Sequence, residues 1–130
     1  MMTSDDTTIR LTFKEMCARF EVTPRTLRYY EYIELLQPEK EGRSRFYGPT
    51  EIARMVLILR GRRFGFSLEE MRQWLELYET EGTEAQRTEW RAMADRQLKI
   101  LRKQQIELDA TIQELEELHR ETLGEPTSES

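Results

Sequence analysis

The apolar residues near the start of the chain are spaced as in two short amphipathic helices. One face of the first helix, predicted over residues 11–20, carries Phe13, Met16, Cys17 and Phe20. The second helix begins at Thr23 and Pro24, an N-cap followed by proline at the first helical position, and buries Leu27 and Tyr30. Two short helices joined by a tight turn form a helix-turn-helix.

Beyond these helices, short segments flank Gly42 and predict a two-stranded wing. Pro49 begins a third helix that runs to about Phe64, where Gly65 ends it. A fourth helix follows a capping box at Ser67. The predicted inner faces of the third and fourth helices comprise Ile52, Met55, Val56, Leu59, Leu68, Met71, Trp74, Leu75 and Tyr78.

A long helix is predicted next, because residues 84–121 contain neither proline nor glycine. Such a helix would be about 57 Å long at 1.5 Å per residue. Two rows repeat every seven residues, one of them rich in polar side chains, which is typical of a coiled coil. The first row is Ala94, Leu101, Leu108 and Leu115, and the second is Trp90, Gln97, Gln104, Thr111 and Leu118. We expect this helix to join two copies of the chain.

These elements predict an all-α fold with a small two-stranded wing. A winged helix-turn-helix head is expected over residues 11–80, and a coiled-coil dimerisation helix over residues 83–121. The polar segments 1–10 and 122–130 are expected to be disordered.

Charge is distributed unevenly along the chain, although the net charge is −5. Residues 10–76 carry 13 Lys and Arg against 10 Asp and Glu, whereas residues 77–130 carry 7 against 13. Affinity for phosphate depends on local charge, so this distribution favours a head that faces nucleic acid. The sequence has no long apolar run and no secretory signal pattern, so we expect a cytoplasmic protein that makes no membrane contact.

Candidate catalytic groups are scarce. His119 is the single histidine and Cys17 the single cysteine, and neither has a nucleophile, base or metal-ligand partner at a recognisable spacing. No glycine-rich phosphate loop follows a strand. The sequence therefore predicts no catalytic residue, no metal site and no cofactor, and disfavours an enzyme.

The second helix carries residue types that suit DNA recognition. A recognition helix places its first turns in the major groove and contacts DNA through arginine, threonine and tyrosine. The candidates on this helix are Thr23, Arg25, Arg28 and Tyr29. The alternative is a charged, solvated face on which Tyr29 belongs partly to the core.

The residues from Phe13 to Glu31 closely resemble the head of the MerR family of bacterial transcription regulators. So do Leu35-Leu36-Gln37-Pro38, Arg45-Phe46-Tyr47 and residues 62–71, and the resemblance spans residues 11–78. It implies a homodimer, joined by an antiparallel coiled coil, that binds a pseudo-palindromic promoter and distorts it so that RNA polymerase can engage.

The resemblance also implies roles for individual residues. Thr23, Arg25, Arg28 and Tyr29 correspond to recognition-helix contacts, Arg45 and Tyr47 to wing contacts, and Arg62 to a contact with backbone phosphate. One position departs from the family pattern, because Glu34 stands where a glycine is usual. A non-glycine residue in the left-handed conformation expected there costs up to about 1 kcal/mol.

The effector is predicted by resemblance and by elimination. Metal-sensing relatives use cysteines in and beyond the long helix, and residues 79–130 contain none. Drug-sensing relatives carry a large C-terminal domain, for which the short tail leaves no room. Residues 57–61 and 75–78 are similar to regulators of branched-chain amino acid and fatty acid catabolism, which implies an acyl-CoA effector.

Two other functions compete with this interpretation. A coiled-coil protein-interaction module that does not bind DNA would explain the acidic tail, but it gives no role to the arginines of the head. An excisionase-like architectural protein would use the head, but such proteins usually lack a long dimerisation helix.

Overall fold

The computed structural model describes residues 9–124. The elements are β1 (Leu11–Thr12), α1 (Phe13–Phe20), α2 (Pro24–Tyr32), β2 (Glu39–Glu41), β3 (Ser44–Tyr47), α3 (Pro49–Phe64), α4 (Leu68–Glu81) and α5 (Thr83–Thr122). The chain divides into two units at residues 87 and 88, which we call the head and the tail helix. The predicted disorder falls mainly on residues 1–8 and 125–130, which lie outside the described residues. The mostly helical fold and the long C-terminal helix are confirmed.

Both helices of the helix-turn-helix begin at a threonine that caps them. Thr12 accepts a hydrogen bond from the Glu15 amide at 3.1 Å, and Glu15 accepts one from the Thr12 amide at 2.9 Å. Thr23 caps α2 in the same way by accepting the amide of Thr26 at 3.1 Å. These bonds satisfy amides that have no partner inside a helix, and so they fix where each helix begins.

The wing is a three-stranded sheet in the order β1-β3-β2, with antiparallel pairs. The prediction of two strands was therefore incomplete, and helix α1 begins after residues 11 and 12 rather than including them. Leu11 pairs with Tyr47 and Thr12 with Phe46, because the residues before the capping Thr12 are extended. Gly42 has a positive φ of 64°, a conformation that the tight turn between β2 and β3 needs.

One hydrophobic cluster joins the helices and the wing of the head. Its buried members are Met16, Leu27, Tyr30, Leu35, Leu36, Tyr47, Met55, Ile58 and Leu75. Burial of Leu27 and Tyr30 agrees with the prediction and sets the rotation of α2 about its axis.

The predicted inner face of α3 was partly wrong. Met55 is buried, but Val56 is 38% exposed, and Ile58 and Gly61 are buried instead. Every residue from position 55 to 59 is apolar, so their spacing does not define one face. On α4, Met71 and Leu75 are buried as predicted, whereas Tyr78 is exposed.

The connection between α4 and α5 is held by a reciprocal pair of hydrogen bonds. The Trp74 indole donates to the Gln86 carbonyl at 2.9 Å, and the Gln86 amide side chain donates to the Trp74 carbonyl at 3.2 Å. Both residues belong to the head, so the first turn of α5 is fixed there.

The tail helix exposes every residue from Leu98 to Gly124 in the single chain. Leu108 is 60% exposed and Leu115 is 65% exposed. The prediction overlooked Leu98 and Ile112, which lie four residues after Ala94 and Leu108 and so widen the apolar face on the side opposite Gln104. Across residues 9–124, no helix is both long and apolar enough to span a bilayer.

Candidate nucleic-acid interface

Helix α2 presents its predicted DNA-contacting residues to solvent. Arg25, Arg28 and Tyr29 are exposed, because Leu27 and Tyr30 occupy the buried side of the same helix. Thr23 lies at the N-cap, where its hydroxyl also donates to the Thr26 hydroxyl at 3.0 Å. The first turn of α2 therefore offers an arginine beside a helix N-terminus, where the helix dipole favours a phosphate.

Phe13 brings the recognition helix and the wing together. The guanidinium carbons of Arg28 and Arg45 lie 5.4 and 5.1 Å from the centre of its ring. Both distances fall within the range of about 6 Å over which a cation is attracted to an aromatic face. Two arginines that were predicted from separate segments of the sequence are thus held at one site.

A groove surrounds this ring and carries a concentration of positive charge. Its lining includes the cations Lys14, Arg28, Arg43 and Arg45, together with Thr12, Phe13, Ser44 and Phe46. Four positive charges with no carboxylate among these lining residues favour a phosphate-bearing ligand. The head can therefore attract DNA although the whole chain is acidic.

Glu31 connects α2 to the wing through Tyr47 and through Arg45, one of the residues that line this groove. It accepts a hydrogen bond from the Tyr47 hydroxyl, and its second carboxylate oxygen lies 3.3 Å from Nε of Arg45. Tyr47 is fully buried, and burial together with the bond to Glu31 raises the pKa of its hydroxyl. The resemblance implies that Tyr47 contacts DNA from the wing, whereas the side chain is buried here, so a direct contact between Tyr47 and DNA stays a prediction.

Arg62 lies near the end of α3 and contacts the recognition helix. It is exposed, and its Nη1 donates to the hydroxyl of Tyr30 at 3.2 Å. A guanidinium has five N–H donors, so this bond leaves others for a phosphate oxygen.

Three residues of the interface were missed by sequence reasoning. Arg43 follows the glycine of the wing turn, and a basic residue at a hairpin tip was a signal that could have been used. Lys14 and Glu31 gave no such signal, because neither the spacing nor the charge of a helical residue shows which distant strand it meets.

Two family models match the chain. The model described as "MerR HTH family regulatory protein" covers residues 11–78, and the one described as "MerR, DNA binding" covers residues 52–118. The chain belongs to the MerR family of transcriptional regulators.

Curated transcriptional regulators resemble most of the chain. HTH-type transcriptional regulator HmrR of Rhizobium leguminosarum bv. viciae is 38% identical over 107 residues, which cover 82% of this chain and 76% of that protein. The uncharacterized HTH-type transcriptional regulator PA4778 of Pseudomonas aeruginosa is 37% identical over 112 residues, covering 84% of this chain and 76% of that protein. Relatives of this kind are regulators rather than enzymes.

Solved MerR structures share the fold. A MerR family transcriptional regulator from Bacillus cereus superposes with a TM-score of 0.72 at 25% identity, covering 91% of this chain and 86% of that one. HiNmlR, described as a MerR family regulator lacking the sensor domain and bound to promoter DNA, gives 0.69 at 19% identity, with coverages of 92% and 95%. The second likeness concerns the fold alone.

The finer resemblance to regulators of branched-chain amino acid and fatty acid catabolism is not confirmed by these relatives and stays a prediction.

Within residues 9–124, no group of three His, Cys, Asp or Glu side chains is placed to hold a metal ion. Burial raises the pKa of the Cys17 thiol, which is the opposite of what a reactive thiolate needs.

Proposed function

We propose that this MerR regulator binds a pseudo-palindromic promoter site as a homodimer and distorts the DNA so that RNA polymerase can engage. The observation that carries the proposal is the meeting of Arg28 from the recognition helix and Arg45 from the wing at Phe13. A recognition helix and a wing that share one basic groove can hold the base edges and the adjacent backbone together.

Within this proposal the arginines have different roles. Arg25 lies on the exposed side of α2 and reads a base edge, for which arginine paired with guanine is the commonest contact. Arg28 lies one turn further on, also exposed, and contacts either a base or a phosphate. Arg45 and Arg62, each fixed by a neighbouring side chain, hold backbone phosphates. Tyr29 and Thr23 add contacts at the edge of the same helix.

The proposed dimer is supported by the tail helix, whose apolar rows are exposed in a single chain. A row of Leu101, Leu108 and Leu115, widened by Leu98 and Ile112, repeats at the heptad spacing that a second copy of the same helix complements. Trp90, Ala94 and Leu118 extend the interface in the proposed antiparallel coiled coil. Two-fold symmetry of the dimer then matches the two half-sites of a palindrome.

The proposed effector is an acyl-CoA metabolite, supported by the similarity of residues 57–61 and 75–78 to regulators of acyl catabolism. The absence of cysteine from residues 79–130 weighs against a thiolate-bound metal. Titration calorimetry with a short-chain acyl-CoA and, separately, with Zn²⁺ should give heat only with the first.

DNA binding is tested by selecting duplexes from a random pool with the full chain and measuring fluorescence anisotropy at two salt concentrations. We expect a palindromic consensus, selective affinity over a scrambled duplex, and a steep loss of affinity with salt. Arg62→Ala should make the salt slope shallower by about one unit. No selected consensus, or equal affinity for both duplexes, would favour the coiled-coil interaction module instead.

A further inference from the structure

Glu31 is held between two residues of the wing. One carboxylate oxygen accepts the Tyr47 hydroxyl, and the other lies 3.3 Å from Nε of Arg45. The Glu31 side chain is 13% exposed, so the carboxylate is largely withdrawn from water. Burying a charged carboxylate is costly, and this cost is offset only while its hydrogen-bonding partners stay in place.

The contacts of Arg45 extend this connection to α1. The Arg45 guanidinium lies 5.1 Å from the Phe13 ring centre while its Nε faces Glu31. Arg28 of the recognition helix lies 5.4 Å from the same ring. A long arginine side chain is normally free to rotate, but here a carboxylate and an aromatic ring fix its direction before any ligand binds.

The charge of Glu31 is unfavourable for a surface that binds DNA. A carboxylate beside the groove cations reduces the local positive potential and repels phosphate. If charge were its main effect, removing it would strengthen binding to every DNA sequence. If fixing the wing is its main effect, removing it weakens binding, so the two effects predict changes of opposite sign.

We propose that Glu31 is a positioning residue that holds Arg45 and the wing in the geometry for binding DNA, and that this effect outweighs its unfavourable charge. The proposal rests on the proposed DNA-binding function. The DNA interface then includes a carboxylate, Glu31, in addition to its cations.

The decisive variant is Glu31→Gln, which keeps the shape and an oxygen that accepts the Tyr47 hydroxyl but loses the ion pair with Arg45. Affinity for the selected duplex should fall on the order of 3- to 30-fold, a range seen for residues that act through a network. The ratio of selected to scrambled affinity should fall as well. Glu21→Gln is the matched control, because Glu21 is exposed and its loss changes the net charge equally. It should leave affinity unchanged or raise it on both duplexes.

A second variant keeps the charge and changes the geometry. Arg45→Lys retains one positive charge for phosphate but lacks the Nε–H group that faces Glu31. Its affinity should fall as in Glu31→Gln, and the double variant should be no weaker than either single variant. Full additivity of the two changes would show that the residues act independently and would overturn the proposal.

A measurement without DNA separates this proposal from the proposed function. Amide hydrogen exchange of residues 44–47 should be faster in Glu31→Gln than in the wild type, while exchange in α4 stays unchanged. Stronger DNA binding by Glu31→Gln, or unchanged wing exchange, would overturn the positioning role while wild-type selectivity stands. A wild-type protein that shows no selective binding overturns the proposed function, and the positioning role with it.

Discussion

Arginines of the head fall into two groups according to how they are held. Arg25 is exposed in the first turn of α2, whereas Arg45 is paired with Glu31 and Arg62 with the Tyr30 hydroxyl. A side chain with rotational freedom can adapt to the edge of a base, and a side chain fixed in advance suits a phosphate whose position does not depend on sequence.

Arg25→Ala should weaken binding to the selected duplex by about 1–3 kcal/mol and relax the preference at one base pair in each half-site. Thermal stability should change little, because Arg25 is exposed. Anisotropy on selected and scrambled duplexes at two salt concentrations measures both effects. Arg19→Ala removes an equal charge from the exposed surface of α1 and should preserve selectivity. An unchanged ratio of the two affinities in Arg25→Ala would refute base reading by this residue.

Glu34 stands where the family usually has glycine, and the effect of this difference is on the backbone conformation rather than on side-chain contacts. Glu34 has a φ of 64°, so the left-handed conformation expected for the usual glycine persists. Two bonds that end α2 require it: the Glu34 amide donates to the Glu31 carbonyl at 3.0 Å, and the Leu35 amide to the Tyr30 carbonyl at 2.9 Å. The turn therefore forms as predicted, with a strained residue in it.

Glu34→Gly should raise the free energy of unfolding by up to about 1 kcal/mol, because glycine adopts this conformation without a steric penalty. The gain is limited by the greater freedom of glycine in the unfolded chain. Denaturant unfolding of Glu34→Gly and Glu34→Ala provides the test, since alanine removes the charge but keeps the strain. Equal changes in the two variants would mean that the side chain, not the backbone, is responsible.

At the scale of elements, helix ends were predictable and helix rotation was only partly so. Thr23 and Ser67 each cap the helix that the sequence assigned to them, because a cap depends on residues three apart. The rotation of α3 depends on a partner far along the chain. Gly61 lies so close to Met71 of α4 that an added Cβ would be 2.2 Å from the Met71 sulfur. The sequence around Gly61 does not reveal this contact, because Met71 lies ten residues further along the chain.

Gly61→Ala should destabilise the head by about 1–3 kcal/mol, the usual range for overfilling a packed core, although alanine favours a helix. The contact requires Met71, so Gly61→Ala should be better tolerated when combined with Met71→Ala than in the wild-type background. Thermal unfolding of the two single variants and the double variant gives the coupling energy. Additive effects would show that Gly61 and Met71 are not in the close contact described.

The third strand of the wing could not be predicted from the pattern of apolar and polar residues. A two-residue strand is too short to show an alternation of apolar and polar positions, and β1 is defined only by its pairing with β3. The same limit applies to the interface. Arg25 and Arg28 could be proposed from their positions on a helix and Arg62 from the resemblance to the family, whereas the burial of Tyr47 and its bond to Glu31 follow from tertiary packing.

For the molecule as a whole, the final prediction concerns assembly. Leu108 and Leu115 are 60% and 65% exposed in the single chain, so they contribute little to the stability of an isolated copy. In the proposed coiled coil they lie in the buried seam, where truncation of a leucine to alanine commonly costs about 2–5 kcal/mol. Leu108→Ala with Leu115→Ala should therefore shift the dimer towards monomer in sedimentation equilibrium at micromolar concentration. The double variant should also bind the full palindrome more weakly than the wild type does, because a monomer engages one half-site.

Ile106→Ala supplies the matched control for this pair. Ile106 is 69% exposed and lies two residues before Leu108, on the side of the helix away from both apolar rows. Its truncation removes about as much exposed apolar area as one of the two leucine truncations and also introduces alanine, so helix propensity and surface hydrophobicity change in the same sense. We expect this variant to remain a dimer with unchanged affinity for the palindrome. A wild-type chain that sediments as a folded monomer would exclude the coiled coil, and equal dissociation of both variants would show that the seam is wrongly placed.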